Sequence, residues 1–502
     1  MSSLKRRECI GLFFSCLLLV SSVLVVKEAC AEAGSLTLEK EQHWETYGMG
    51  GTCITGPHNL FFEDVDGDGV MEIIAGGFAY QYVGGIRIEP ENALTIWNWN
   101  GQNLALRTSY EWNTRVTHSF SCVYAADADG DGNIEILTGG RCRTGSTSFA
   151  QLGVWSWDGI NLVLESSTEL KDLEGASVSS IFVSDLDNDG KSEIITTGRT
   201  YNDTKSSAQL RIWNLTANRL VLQKSLEWCA VKEASAISVF ASDVNDDGVT
   251  EIITCGFDNG LENSTGQLRL WKWDGTALTM EESQEWQMTD GYMLNIAGNV
   301  MGNTIANVVR ADDVDYDGFP EVVTGGFTYD GTYANAQVVI WGWNGESLTQ
   351  VGSSHWHTED INEVKSMSIE DIDGDGKQEI VTSGFAGNPT KWPEPSNTLG
   401  QLRVWSWDGK TLTIKHSQDW IAGNSTTAWN VGTGDVDKDG VTEIITVGCI
   451  YVDTLCDPDM RIWSIARETA SPLCPLLATL GAVAVIGLVM TFLFVRKRRK
   501  QL

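Results

Sequence analysis

Along most of the chain, short apolar segments alternate with polar turns in a unit of roughly 58 to 70 residues, each unit holding four such segments. In the fourth unit, Ile237 to Ala241 leads into an acidic loop, Glu251 to Gly256 leaves it, Gln267 to Trp273 follows, and Leu278 to Trp286 completes the unit. The segments are rich in β-branched and aromatic residues and are bounded by Asp-Gly or Asn-Gly, the signature of strands joined by tight turns. Seven such units predict an all-β fold, a seven-bladed β-propeller with four antiparallel strands per blade.

Fixed spacings support this reading. From the third-segment Trp (97, 155, 213, 271, 341, 405) to the first Leu of the fourth segment the offset is always 7, and from that Leu to the closing residue (Trp112, Leu170, Trp228, Trp286, Trp356, Trp420) it is always 8. The seventh unit stops at Met460 to Ser464 without a fourth segment, and Leu36 with Trp44 reproduces the offset of 8 at the other end of the chain. The N-terminal strand is therefore expected to complete the last blade, which removes the exposed edges of an open array. Eighteen of the 20 Trp fall at recurring positions, Trp392 and Trp429 being the exceptions, so they are expected to fill wedges between blades rather than to stack sugars.

Between the first and second segments of every unit stands the pattern D-x-D-x-D-G-x-x-E. Carboxylates at positions 1, 3 and 5, a Gly at 6 for a sharp turn and an acid at 9 suit a hard, oxygen-seeking cation such as Ca²⁺. The predicted ligands are Asp64, Asp66, Asp68 and Glu72; Asp127, Asp129, Asp131 and Glu135; Asp185, Asp187, Asp189 and Glu193; Asp243, Asn245, Asp247 and Glu251; Asp313, Asp315, Asp317 and Glu321; Asp371, Asp373, Asp375 and Glu379; and Asp435, Asp437, Asp439 and Glu443. Asn245 is the one non-acid among them, so much of the net charge of -32 is concentrated in these loops. Bound cations would relieve that repulsion, and so acidic a body is a poor partner for nucleic acid. One ion per unit reads as structural, up to seven in all.

The motif, its following Ile-Ile or equivalent and Gly, and its seven-fold recurrence resemble the FG-GAP/VCBS repeats of the integrin α-subunit N-terminal β-propeller, over residues 36 to 464. That resemblance implies Ca²⁺ in the loops joining strands one and two on the lower face and partner binding on the upper face. The chain departs from the family pattern in its Glu at position 9, in Asn245 and in lacking Phe-Gly-Gly-Ala-Pro.

The ends add a topology. Lys5-Arg6-Arg7, an apolar run from Ile10 to Val26 and Ala29-Cys30-Ala31 read as a signal peptide over 1–31. The propeller is assigned to 32–467 and a short linker to 468–473. The uncharged stretch 474–495 is long enough to span a bilayer, and the basic tail 496–502 places that end inside. The expected location is the cell membrane, single-pass, with the body outside. Seven cysteines lie between these ends; an exported body permits disulfides, and Cys449 with Cys456 is the expected pair.

Catalysis finds little support, because the six His never recur in register with a nucleophile or a metal-ligand pair. Length variation points elsewhere. The closing residue stands 15 residues before the next loop in five units, but 20 from Trp44 to Asp64 and 27 from Trp286 to Asp313. The loop stands 28 residues before the third-segment Trp in five units, but 33 from Asp64 and 34 from Asp371. All four insertions fall in connections that a propeller places opposite the metal loops. They carry Tyr80, Tyr82, Tyr292 and Trp392, candidate partner-binding residues. The expected function is adhesion or recognition of an extracellular protein or glycan. An exported polysaccharide-active enzyme on the same scaffold and a structural envelope component are the alternatives.

Overall fold

Each of the seven acidic loops lies between two antiparallel strands, and each begins a set of four. The structure is a computed structural model. It describes residues 35–43, 52–83, 86–112, 117–144, 147–170, 175–202, 205–229, 232–260, 264–287, 304–344, 346–388, 396–452 and 455–465. The described residues from Leu38 to Ser464 form one compact unit; of the other, Met1–Thr37 with Ile465–Leu502, only 35–37 and Ile465 are described.

The chain is all-β among the described residues. The first set is β2 (Thr52–Glu63), β3 (Glu72–Val83), β4 (Ile86–Trp99) and β5 (Leu104–Trp112); the second is β6 (Thr117–Ala126), β7 (Glu135–Thr144), β8 (Thr147–Trp157) and β9 (Leu162–Leu170). The third is β10 (Ser177–Ser184), β11 (Glu193–Asn202), β12 (Lys205–Thr216) and β13 (Arg219–Trp228), followed by β14 (Glu233–Ser242), β15 (Glu251–Asn259), β16 (Ser264–Trp273) and β17 (Leu278–Trp286). The fifth is β18 (Thr304–Asp312), β19 (Glu321–Tyr329), β20 (Ala334–Trp343) and β21 (Leu348–Trp356). The sixth is β22 (Ile361–Glu370), β23 (Glu379–Asn388), β24 (Ser396–Trp407) and β25 (Leu412–Trp420). The last is β26 (Ser425–Gly434), β27 (Glu443–Val452) and β28 (Leu455–Ile465), and its fourth member is β1 (Leu36–His43), in the order β1-β28-β27-β26. Sets three and four, and five and six, merge into eight-stranded sheets through single parallel pairs, Ser206 with Glu233 and Ala334 with Ile361.

A recurring irregularity explains a recurring glycine. Every first strand slips one residue against its second strand six positions before the loop, at His58, Ser121, Ser179, Ile237, Asn307, Lys365 and Trp429. The bulge drives a first-strand carbonyl onto the second strand. A Cβ at Gly198, Gly256, Gly326 or Gly384 would sit 1.9 Å from the carbonyl oxygen of Ser177, Ser235, Ile305 or Glu363 respectively. At these positions the Gly that follows the acidic loop is thus a close-approach site in a strand rather than a turn residue.

The first strands pack on one another in succession, β2 on β6, β6 on β10 and onward to β22 on β26, and β26 packs back on β2. They line a cavity of about 510 Å³. Between successive sets the core is aromatic. The closing Trp228, Trp286, Trp356 and Trp420 pack in tilted pairs, ring centroids 4.9 to 5.3 Å apart, against Trp271, Trp341, Trp405 and Trp463 of the following set. Each of these third-strand indoles donates its N–H to a Thr hydroxyl, as Trp271 does to Thr254 at 2.9 Å, so a buried polar atom is satisfied within an apolar wedge.

Candidate metal centres

The loops fold the same way because the same groups are satisfied in the same order. The position 3 side chain accepts the N–H of position 5, and the position 5 carboxylate accepts the N–H of position 7, in all seven. In six loops the second oxygen of the position 1 Asp accepts the N–H of the Gly at position 6, as Asp185 Oδ2 does from Gly190 at 2.9 Å. Positions 4 and 6 both take left-handed backbone; position 6 is always Gly, whereas position 4 is Gly67, Gly130, Asn188, Asp246, Tyr316, Gly374 or Lys438. The result is a concave turn with carboxylates pointing inward.

Position 9 has two tasks. It is the first residue of the second strand in every set, and it is buried, from fully buried Glu72, Glu251 and Glu379 to Glu135 at 9 % exposure. Its Oε2 accepts the backbone N–H of position 2 in all seven loops, at 2.9 to 3.3 Å. Position 2 is always apolar and buried (Val65, Ala128, Leu186, Val244, Val314, Ile372, Val436). The apolar plug and the Glu together button the loop onto the sheet. The sequence shows both features at fixed spacing, and this structural task of the Glu is what reading it only as a ligand misses. The remaining oxygen, Oε1, accepts a further hydrogen bond in three sets, from Asn98 of β4 at Glu72, from Asn245 of the loop at Glu251 and from Lys415 of β25 at Glu379.

Burial raises these carboxyls, with the nearby loop carboxylates adding to it: to about 7 for Glu72, Glu135, Glu193, Glu251 and Glu379, and to about 8 for Glu321 and Glu443. Burial likewise raises Asp315 and Asp437 at position 3. A divalent cation among them would reverse the effect, since it favours the charged form.

The predicted ligands come together in part. Carboxylate oxygens within 4.8 Å of one another are contributed by Asp64, Asp66 and Glu72; by Asp127, Asp129 and Glu135; by Asp185, Asp187 and Glu193; and by Asp243, Asp247 and Glu251. In the first three loops position 5 stands outside that cluster, its Oδ1 taken by the position 7 N–H. Three loops already have an ammonium beside a carboxylate, the loosest being Lys191 Nζ, 3.6 Å from Asp189 with both side chains exposed. Lys272 Nζ lies 3.0 Å from Asp247, and Lys415 Nζ lies 3.0 Å from Asp373 and 2.6 Å from Glu379. A metal there competes with a lysine.

Three observations bear on whether a cation fits. The donors are all oxygen, which suits a hard ion. Asp64 Oδ1, Asp313 Oδ1 and Asp435 Oδ1 are buried with no hydrogen-bond partner, a costly arrangement that a cation would resolve. The Asp-Gly or Asn-Gly turn of the following set also closes over position 3. A Cβ at Gly159, Gly275, Gly409 or Gly101 would meet Oδ2 of Asp66, Asp187, Asp315 or Asp437 at 2.6 to 2.8 Å. The last pair joins the first set to the seventh. The buried acidic clusters are able to hold a metal ion.

Other sequence-level expectations fare unevenly. Tyr292 and Trp392 lie outside the described residues, and Tyr80 and Tyr82 are placed in β3 by backbone alone. His355 and His357 are exposed; His357 stacks on Tyr333 at 4.5 Å and contacts Asn335 at 2.9 Å. Cys449 is disulfide-bonded, to a partner outside the described side chains, while Cys122 and Cys255 are free thiols that burial pushes well above the usual thiol range. No helix among the described residues is long and apolar enough to cross a membrane, and 474–495 lies outside them.

No protein-family model matches the chain, and no curated protein matches it in sequence.

Proposed function

We propose that the chain is a membrane-anchored, surface-exposed seven-bladed β-propeller of the FG-GAP/VCBS, integrin-α-like kind. In this reading it binds up to seven structural Ca²⁺ ions and recognises an extracellular protein or glycan. The observation that carries the reading is the seven-fold identity of the acidic loops, down to the Glu that buttons each one to its second strand. A propeller is supported by the return of β26 onto β2, by Gly101 closing over Asp437 and by β1 completing the last set. Ca²⁺ is favoured over softer metals by the all-oxygen donors.

Recognition rather than catalysis follows from where the chain varies. The loop side is held constant, and the insertions all enter connections on the opposite side. The membrane anchor and outward location rest on 474–502 and on the N-terminal leader, read from sequence. The test is a glycan array with a surface-protein pulldown, using the full-length chain in detergent, in calcium and in chelator. Calcium-dependent capture that is lost on replacing residues 389–395, between β23 and β24, with a short glycine-rich turn, with melting temperature unchanged, is the expected result. Turnover of a polysaccharide without stable capture would favour the enzyme instead.

A further inference from the structure

We propose that the cavity bounded by the seven first strands is a binding site for a small organic carboxylate with an aromatic body. One ring of side chains, three residues before each loop, divides its wall in two. Phe61, Tyr124, Phe182 and Phe240 form a continuous ladder with centroids 4.4, 5.3 and 4.7 Å apart. The next two positions are polar, Arg310 and Ser368, and Ser368 Oγ lies 2.8 Å from Thr433 Oγ1.

Arg310 is the key. Its guanidinium caps the ladder 5.7 Å from the Phe240 ring and donates to its neighbour's carbonyl, Val309 O, at 2.8 Å. Among the described residues no carboxylate lies within 4 Å of it. Lys365 in the same cavity differs, being neutralised by Glu363 at 2.6 Å. A half-buried guanidinium with donors to spare is costly to keep and calls for an anion with oxygens that match its fork.

The surroundings narrow the anion. Glu63, Asp312 and Glu370 follow two residues further along their strands, in a chain of net charge -32, and they disfavour a polyanion such as a phosphate ester. The aromatic ladder offers flat faces for an apolar ring beside the charge. A volume of about 510 Å³ falls within the range of small-ligand sites.

The test uses the full-length chain in detergent with calcium, titrated calorimetrically with benzoate and, separately, with inorganic phosphate. Saturable benzoate binding is expected, weakened roughly tenfold or more in Arg310→Gln and by about threefold or more in Arg310→Lys, which keeps charge but not the fork. Arg107→Gln, an exposed arginine away from the cavity, should bind as the parent does. Near-ultraviolet circular dichroism checks folding; if Arg310→Gln does not fold, Arg310→Lys decides. Absence of benzoate binding, benzoate binding by the Arg310 variants as tight as by the parent, or phosphate binding as tight as benzoate overturns the assignment.

Discussion

Arg461 in β28 reaches Glu41 in β1 at 2.5 Å, across 420 positions of sequence. The same guanidinium holds Asp459 at 2.8 Å, and His43 lies 2.9 Å from Glu41 and 3.4 Å from Asp459. Arg461 and Asp459 are almost fully buried, whereas the Glu41 side chain is 36 % exposed. The N-terminal strand is therefore held in the last set by a charged cluster as well as by its ladder. Arg461→Met strands a buried carboxylate and is expected to destabilise by about 3 to 5 kcal/mol. Glu41→Gln removes only the exposed partner and should cost about 1 kcal/mol or less. Urea unfolding in calcium measures both, and equal losses would show that the cluster does not hold β1.

Gly256 faces the carbonyl of Ser235, which a Cβ would approach to 1.9 Å. No flexible side-chain tip is there to yield, so Gly256→Ala must displace backbone at the bulge. A loss of about 1 to 3 kcal/mol is expected. Gly331 is the control: its φ is +94° but a Cβ there meets nothing, so Gly331→Ala carries backbone strain alone, about 1 kcal/mol. Denaturant midpoints rank the two, and a milder effect at Gly256 would contradict the bulge explanation.

Those two sites also show what could be read from sequence. The four-segment unit, the loop pattern and the return of the first strand to the last set were legible because strand periodicity and turn chemistry are local signals. The task of Gly256 was not, since its reason lies in a carbonyl on a neighbouring strand. The plug at position 2 was visible as an apolar residue inside an acidic loop, yet its meaning depends on the Glu seven residues later. Lys415 is a different case: it reaches its loop from the fourth strand, 42 residues after Asp373 and 36 after Glu379, and no spacing rule announces it.

The two tasks of position 9 can be separated at Glu251. Glu251→Gln keeps an oxygen long enough to accept the Val244 N–H but loses the charge a cation needs. In chelator this variant is expected to match or exceed the parent's stability, because it removes a buried acid, and to gain less from calcium. Glu251→Asp keeps the charge but is one methylene short of Val244, leaving a buried N–H unpaired at a cost of about 1 to 3 kcal/mol. It should be the weaker of the two in chelator. Thermal melts of both variants, with and without calcium, decide; identical behaviour would mean that the button and the ligand are not separate roles.

The seven raised glutamates set a pH dependence whose sign is opposite to that of an ordinary salt-bridged acid. Their folded values, about 7 to 8, lie above the unfolded value near 4.3. Between those limits the folded state binds more protons than the unfolded one, so stability falls as pH rises. The contribution is complete below about pH 4.5 and is lost as pH passes through about 7 to 8. In chelator the melting temperature should therefore drop from about pH 5.5 to about pH 8.5. Calcium favours the ionised carboxylates, so with saturating calcium the drop should shrink or reverse, and calcium binding near pH 7 should release protons. Parallel melts across this window, with proton release followed calorimetrically in buffers of different ionisation enthalpy, provide the measurement. A melting temperature in chelator that holds or climbs with pH would show that these glutamates are ionised without metal and that the loops need no cation to tolerate their charge.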